Sequence, residues 1–308
     1  MRALHMSPRT ENAYVAWVRR YVRFCGMRHP RECGAAEVRA FLEELAIGGG
    51  VAAPTQNQAF SALLFLYNRI LGCALGGLPA FVRARRSYRV PIVLEPEEVR
   101  VMLREIRGSS GLVAMLLYGA GLRLTEAVRL RAKDVDLRRK VLVVRDGKGG
   151  KDRRTVLPDS LVGDLAEHIR RVRAQHLRDV VVLDVRVPLP GAMDRKAPSA
   201  ARDWRWAWVF PAKRIYVDGA GRRFRDHLHK STVQRAIASA ARRSGLNKRV
   251  TAHAFRHSFA THMLRNGYDI RTVQELLGHS DVRTTMVYLH VLERGLSVRS
   301  PLDRLSSP

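Results

Sequence analysis

Apolar residues recur at three- and four-residue intervals through the first part of the chain, a spacing that predicts amphipathic helices. The first stripe consists of Tyr14, Val18, Tyr21 and Val22. Thr10 or Asn12 can begin the helix that carries this stripe. A second helix is predicted near 36–46, ending at three consecutive glycines, and a third over about 55–71. The start of the chain is therefore predicted to be all helical.

The pattern becomes mixed in the second part of the chain. Pro96, with acidic residues beside it, is typical of the first turn of a helix. An apolar helix is predicted at 112–118. Residues 141–145 and 153–157 alternate between apolar and polar positions, which predicts a β-hairpin around the turn at 146–150.

Residues 180–226 contain Pro and Trp without a clear period and are predicted to be irregular. Helical spacing returns from about 229 to 292. The sequence thus predicts an all-α N-terminal domain followed by a mixed α+β domain.

A basic, proline-terminated stretch at 82–91 separates the two parts and predicts a linker. The predicted domains are a helical domain at 1–86, a linker at 87–93 and a second domain at 94–308. An extended linker that passes a polyanion can contact it, and Arg85 and Arg86 are the candidate contact residues.

The charge balance identifies a class of partner. The chain has 55 Lys and Arg against 28 Asp and Glu, a formal net charge of +27. Such an excess favours nucleic acid as the partner, with a ribosomal or membrane-surface protein as the alternative. The basic helical domain is a candidate clamp on a DNA duplex, with a solvated basic surface as the alternative.

The cysteines and the N-terminus bear on the compartment. Cys25, Cys33 and Cys73 lack metal-ligand spacing and are predicted to be buried thiols in a reducing compartment. Charged residues interrupt the N-terminal segment, which is not typical of a signal peptide. The longest uncharged stretch, 108–122, is too short to cross a bilayer. We therefore expect a soluble, intracellular protein.

Six polar residues of the second domain fit one reaction when taken together. Arg123 lies where a short turn enters a helix, and Lys148 lies at the hairpin tip. His253 and Arg256 are three residues apart and share a helix face. His279 follows a glycine that is typical of a helix end, and Ser280 or Asp281 can cap the next helix. That helix carries Tyr288. The full set is Arg123, Lys148, His253, Arg256, His279 and Tyr288.

The order and context of these residues resemble a known family. The segments GLRLTE, GKGGK, HAFRHSFATH, LLGHSD and TTMVYLH are similar to the successive signature motifs of the tyrosine recombinases, or phage-type integrases. SPRTENAYVAWVRRYVRF, VAAPTQNQAFSALLFLYN, YDIRTVQELLGHSDVRTTMVYLHVL and the terminal VRSPLDRL resemble the integron integrases more closely. The resemblance covers nearly the whole chain. It implies a C-shaped clamp formed by a helical, SAM-like core-binding domain and a mixed α+β catalytic domain.

The resemblance also implies a role for each residue. Arg123 and Arg256 would hold a DNA phosphate as planar forks. Tyr288 would attack phosphorus to give a 3′-phosphotyrosine. Lys148, with Lys151 as a fallback, would protonate the departing 5′ oxygen. His253 and His279 would bind the phosphate and assist proton movement, and Glu126 would orient the active-site groups. No metal and no cofactor is expected, because a 5′-hydroxyl can reverse the covalent step.

Residues at about 186–208 resemble the extra helical insert of integron integrases, which helps recognise a folded single-stranded site through bases flipped out of a hairpin. Trp204, Trp206 and Trp208 alternate and would share a face on a strand. Trp206 is the candidate base platform, while Trp204 and Trp208 are expected in the core. His227 is a further candidate DNA contact. Two positions depart from the family: Asp226-His227 replaces a usual His-His pair, and Gly219 replaces a usual Pro.

The expected partners are a duplex attachment site, with a folded hairpin site as a further partner, and three further copies of the chain in a tetramer. The expected place is the bacterial cytoplasm, at the nucleoid. The leading hypothesis is an integron integrase that inserts and excises gene cassettes. Alternatives are another tyrosine recombinase for phage integration or chromosome-dimer resolution, a type IB topoisomerase-like enzyme, and a catalytically silent DNA-binding relative.

Overall fold

The computed structural model describes residues 6, 8–73, 75, 91–145, 152–279, 281 and 283–286. The chain divides into two compact units, Met1–Arg89 and Val90–Pro308. Each unit has a hydrophobic core of its own. The first unit is all helical in its described part and the second mixes helices with two small sheets, which confirms the predicted fold class.

The first unit contains the three predicted helices. They are α1 (Pro8–Phe24), α2 (Ala35–Ile47) and α3 (Ala53–Phe65), with a 3-10 turn at Pro30–Glu32 and π-helical turns at Leu66–Leu71. The third helix extends as far as predicted, but its last part is π-helical. In α2 the side chain of Glu37 accepts a hydrogen bond from the Gly34 amide at 2.8 Å, which satisfies a free donor at the helix start.

Two phenols connect the elements of this first core. The hydroxyls of Tyr21 and Tyr67 are 2.9 Å apart, and both rings are buried. Tyr67 is also 2.9 Å from the carbonyl oxygens of Pro30 and Cys33, so both phenols have partners. Cys25 and Cys33 are buried free thiols, as predicted, whereas Cys73 is exposed and the prediction of a buried thiol is wrong there.

The second unit surrounds an apolar central helix. Its helices are α4 (Pro96–Glu105), α5 (Gly108–Gly119), α6 (Leu124–Val128), α7 (Asp159–Val181), α8 (Met193–Lys196), α9 (Lys230–Arg243), α10 (Ala252–Arg265), α11 (Ile270–Leu277) and α12 (Arg283–Met286). Its strands are β1 (Val135–Asp136), β2 (Val141–Val144), β3 (Arg153–Val156), β4 (Val185–Arg186), β5 (Tyr216–Val217) and β6 (Arg223–Phe224). α5 contacts α4, α6, α7, α9 and α10, and it carries the longest apolar run of the core.

The predicted hairpin is confirmed by its strands. β2 pairs antiparallel with β3, with Leu142 opposite Thr155 and Val144 opposite Arg153. The short β1 extends this sheet on the other edge of β2. The turn at 146–150 lies outside the described residues, as do the last residues of the predicted terminal helix and the linker as far as residue 90.

α7 is a 23-residue helix that the apolar pattern does not predict. Its buried positions are Leu161, Leu165, His168, Val172, His176 and Asp179. Half of this stripe is polar, so the helical period is hidden when only apolar residues are counted. The polar members have partners: His168 Nε2 lies 2.8 Å from the Val209 oxygen, and Asp179 forms two hydrogen bonds with Arg225.

The stretch predicted to be irregular, 180–226, holds a small mixed sheet. β6 pairs parallel with β4 and antiparallel with β5. Trp204–Trp206 form a 3-10 turn and not a strand, so the shared face that alternation would give on a strand does not apply to the three tryptophans. Within the described ranges, no helix combines the length and apolarity that crossing a bilayer requires.

Candidate active site

Arg123 is placed by a sharp turn between α5 and α6. Gly121 has a φ of 63°, and a Cβ there would lie 2.6 Å from the Phe259 ring, so the backbone and the space both require glycine. Arg123 is the N-cap of α6, and Glu126 accepts a hydrogen bond from its backbone amide at 2.8 Å. The Arg123 side chain is half-buried, with Nη1 donating to Glu126 Oε1 at 2.7 Å.

Arg256 is the largest fully buried side chain of the described residues. It projects from α10, a helix that Thr251 caps. Its Nη1 donates to the Gly121 carbonyl and its Nη2 to the Leu277 carbonyl, the latter at 2.7 Å. Backbone oxygens from two distant turns therefore fix the plane of this guanidinium.

The two arginines converge. Arg123 Nη1 lies 3.5 Å from the same Leu277 oxygen that Arg256 contacts. Arg256 Nη1 lies 3.8 Å from Glu126 Oε2. One carbonyl and one carboxylate thus hold two guanidinium groups side by side. This arrangement is suited to binding an oxyanion that accepts hydrogen bonds from both guanidinium groups.

Glu126 is buried under this arginine pair. Burial alone would raise its pKa, but hydrogen bonds and charge from Arg153, with further hydrogen bonds from Arg123, outweigh it and lower the pKa to about 2. The carboxylate is therefore ionised at any ordinary pH. It neutralises part of the positive charge that the arginines bring together.

His279 completes the described cluster. Gly278 ends α11 in the left-handed conformation, with a φ of 62°, and turns the chain so that His279 Nε2 lies 3.1 Å from Arg256 Nη2. Its Nδ1 lies 2.9 Å from the Thr285 hydroxyl. Burial, then Arg256, Arg123, Arg153 and His257, lowers the pKa of His279 to about 3, so the ring is neutral at pH 7.

His253 lies one turn before Arg256 on α10, as predicted, and is exposed. Partial desolvation, followed by the charges of Arg256 and Arg123, lowers its pKa. His257 packs edge-to-face against it with 4.3 Å between ring centroids. His257 was not among the residues predicted from the sequence, although it lies one turn from His253 on the same helix.

Comparison with known proteins identifies the family. A model of the phage integrase family matches residues 93–294, and a model of the phage integrase N-terminal SAM-like domain matches residues 1–76. The chain belongs to the phage integrase family. Integrase/recombinase proteins of Escherichia coli and Pseudomonas aeruginosa are each 48% identical to it over 307 residues, which covers 99% of this chain and 91% of each relative.

A tyrosine recombinase XerA from Thermococcus onnurineus is 34% identical over 278 residues, covering 82% of both chains. Two solved structures share the fold. The Tn1549 transposon integrase in complex with transposon right end DNA has a TM-score of 0.63 at 16% identity, covering 97% of this chain and 92% of that one. The XerH recombinase bound to palindromic difH substrate has a TM-score of 0.60 at 19% identity, covering 93% and 79%.

The predicted family and fold are thus confirmed, and the chain is similar to DNA recombinases along nearly its whole length. The structure brings Arg123, Glu126, Arg256 and His279 into one cluster, with His253 on the helix of Arg256. Lys148, Lys151, Tyr288, Ser280, Arg85 and Arg86 lie outside the described residues.

Arg153, the first residue of β3, belongs to this cluster and was missed by the sequence reasoning. Its guanidinium donates to both oxygens of Glu126, at 3.0 and 2.7 Å. A signal was present in the sequence: Arg153 lies two residues before the buried Thr155, so strand alternation places both on the same face. Alternation identified the strand but gave no reason for a charge on its inner face.

Beside Glu126 opens a cleft of about 410 Å³ that Trp206, Trp208 and His227 line. Trp206 is half-buried, and the Lys133 ammonium stands 3.0 Å from its ring centroid. Arg131 anchors this wall of the cleft, since it donates to the backbone oxygens of Trp206 and Pro188 at 2.5 and 2.8 Å.

The other aromatic residues of this region differ in burial. Trp208 is buried, as expected, with its ring stacked on the Arg131 guanidinium and against His227. Trp204 is only half-buried and packs against His176, outside the cleft. Asp226 lies beside His227 at the cleft wall, 3.8 Å from its Nε2. The carboxylate of Asp226 therefore stands where the first histidine of the family's usual His-His pair would be.

Proposed function

We propose that this chain is a site-specific recombinase of the integron type, which cleaves and rejoins DNA through a 3′-phosphotyrosine intermediate. The observation that carries the proposal is the convergence of Arg123 and Arg256 on Glu126 and the Leu277 carbonyl. Such a pair, fixed before substrate arrives, stabilises charge on the non-bridging oxygens of a phosphodiester as it becomes five-coordinate.

In the proposed reaction, the Tyr288 oxygen forms a bond to phosphorus as the bond from phosphorus to the 5′ oxygen breaks. Lys148 donates the proton that the 5′ oxygen takes up, with Lys151 as the second candidate. His253 is the candidate donor to the phosphate and acceptor of the phenol proton, and neutral His279, whose Nε2 accepts from Arg256, holds that guanidinium in place. A 5′-hydroxyl of another strand then reverses the step, so the reaction needs no metal and no energy cofactor.

A nicked suicide substrate tests this reaction, because loss of the short cleaved strand traps the covalent adduct. We expect wild type to accumulate a protein–DNA adduct with excess chelator present, and Tyr288→Phe to form none. Arg123→Ala or Arg256→Ala should slow adduct formation by about 10²–10³-fold, as for loss of other transition-state donors. Wild type without an adduct would instead support a silent DNA-binding relative.

The insert at about 186–208 supports the assignment to the integron type. The cleft beside Glu126 has room for a planar, polar ring, and Trp206 and His227 are among the residues that line it. Trp208 also lines this cleft, and its buried indole nitrogen has no hydrogen-bond acceptor among the described residues. A base flipped out of a folded single strand would fit these features.

Comparing a bulged hairpin site with its fully paired duplex tests this assignment. We expect wild type to bind and recombine the hairpin in preference, and Trp206→Ala to weaken hairpin binding by about 10–100-fold, from a stacking energy of about 1–3 kcal/mol. Trp204→Ala is the matched control, because Trp204 lies outside the cleft. Equal use of hairpin and duplex would instead favour the alternative of another tyrosine recombinase, for phage integration or chromosome-dimer resolution.

The remaining parts of the proposal follow from strand exchange. Four copies act on two sites, and Arg85, Arg86 and the core-binding helices contact the duplex backbone. The place of action is the bacterial cytoplasm, at the nucleoid. Relaxation of supercoiled DNA by the protein, without formation of a tetramer, would instead indicate a type IB topoisomerase-like enzyme.

A further inference from the structure

The carboxylate of Glu126 has its hydrogen-bonding capacity filled by two arginines. Oε1 accepts from Arg123 Nη1 at 2.7 Å and from Arg153 Nη1 at 3.0 Å. Oε2 accepts from the Arg123 amide at 2.8 Å and from Arg153 Nη2 at 2.7 Å. An ionised carboxylate offers about four acceptor sites. Arg256, at 3.8 Å, is left outside hydrogen-bonding distance.

Arg153 is itself held in place. Its side chain is 10% exposed, and its Nε donates to the Leu276 carbonyl at 2.9 Å. Its Cδ lies against Gly278, where an added Cβ would approach it to 2.6 Å. The guanidinium therefore cannot turn outward to solvent without disturbing the turn that carries His279.

Removal of Arg153 would leave a buried carboxylate short of two donors. Such a group draws the nearest cations toward itself, because an unpaired buried charge is costly. The nearest are the Arg123 and Arg256 guanidiniums, the two groups that the proposed function assigns to the phosphate. Each would lose donors to Glu126.

We propose that Arg153 is a positioning residue: by satisfying both oxygens of Glu126, it keeps Arg123 and Arg256 directed toward the DNA phosphate. The inference rests on the proposed function, since it gives the pair its phosphate. Arg153 does not touch the substrate, and its effect passes through Glu126. Its removal should therefore change the rate of cleavage and leave DNA affinity almost unchanged.

A double-mutant cycle tests this dependence on Glu126. Adduct formation on the nicked suicide substrate is measured at saturating DNA for wild type, Arg153→Ala, Glu126→Gln and the double variant. We expect Arg153→Ala to slow the reaction by about 10²-fold, while its DNA dissociation constant stays within about threefold of wild type. The double variant should be about tenfold faster than Arg153→Ala, because it lacks the unpaired Glu126 charge that would draw Arg123 and Arg256 away from the phosphate.

Two further variants control for folding and for charge. Arg154→Ala removes the neighbouring arginine of the same strand, which is exposed, and should cleave like wild type. Arg153→Lys keeps the charge but not the two-pronged geometry and should fall between wild type and Arg153→Ala. Thermal unfolding of all variants shows whether Arg153→Ala remains folded at the assay temperature; if it does not, the same cycle is run with Arg153→Lys.

The possible outcomes separate the proposals. Effects of Arg153 and Glu126 that simply multiply would overturn the positioning role, as would a loss that lies entirely in DNA affinity. A substrate with sulfur at the 5′ bridging position needs no proton donor. Full recovery of Arg153→Ala on that substrate would place the residue with the general acid and also reject the role. Failure of wild type to form any adduct would overturn both proposals together.

Discussion

Burial and neighbouring arginines keep several histidine rings of the second unit uncharged. The pKa values of His257 and His279 are lowered to about 3, and those of His168, His253 and His262 are also lowered. A neutral ring next to a guanidinium can accept a hydrogen bond, as His279 does from Arg256. A charged ring could not, and it would add to the local positive charge.

These pKa shifts make stability depend on pH. In the unfolded chain a histidine takes up a proton below about pH 6.5, whereas folded His257 and His279 do not until about pH 3. The unfolded state therefore binds more protons in this window, and the free energy of unfolding falls as pH falls from 6.5 toward 3. Glu126, with a pKa lowered to about 2, adds a similar loss only below its ordinary value near 4.5.

We expect the urea midpoint to be clearly lower at pH 5 than at pH 7.5, with an unchanged slope of free energy against urea. His257→Gln should reduce this difference, since it removes one of the two most strongly shifted groups. Identical midpoints at the two pH values in wild type would contradict the lowered pKa values.

At this scale the structure brings together Arg123, Arg256, Glu126 and His279, which the family motifs singled out, while their catalytic roles stay predictions. Arg153 was missed because its role depends on a contact between a strand and a helix start 27 residues earlier. Trp204 was placed in the core, yet it is half-buried, since its 3-10 turn follows no alternation.

Among the elements, two glycine turns hold the site together. Gly121 ends the central helix α5 and Gly278 ends α11, and both have a positive φ. Both turns supply acceptors to the arginines. The Gly121 carbonyl accepts from Arg256, and the Leu277 carbonyl, just before Gly278, is contacted by both Arg123 and Arg256. The turns therefore position oxygens as well as reverse the chain.

Gly121→Ala should be strongly destabilising. The left-handed backbone costs about 1–2 kcal/mol with a Cβ, and the 2.6 Å approach to Phe259 adds overpacking of about 1–3 kcal/mol. We expect a loss of about 2–5 kcal/mol in chemical unfolding. The matched control is Gly163→Ala in α7, where the added methyl meets no atom within 4 Å and should stabilise by about 0.5–1 kcal/mol. Equal effects of the two changes would show that neither φ nor the Phe259 contact constrains Gly121.

Helices and the hairpin with one apolar face were predicted, within a residue or two for α2 and for both strands. α7 was not, because its buried side includes two histidines and an aspartate whose partners come from distant segments. The small sheet of β4, β5 and β6 was missed because strands of two residues are too short to show a period.

For the whole molecule, the division into a helical part and a mixed part was readable from the change of period and from the basic stretch between them. The domain boundaries of 1–86, 87–93 and 94–308, and the closing of both domains around DNA, stay predictions. The net charge of +27 indicated a polyanion but not the form of DNA, since phosphate contacts carry no sequence information.

The Leu277 carbonyl, which both Arg123 and Arg256 contact, affects when the arginine pair can be fixed during synthesis of the chain. Arg123 and Arg256 leave the ribosome well before this oxygen does, and Tyr288 follows it. A growing chain can therefore fold much of its second unit before Arg123 and Arg256 acquire the carbonyl oxygen that both of them contact.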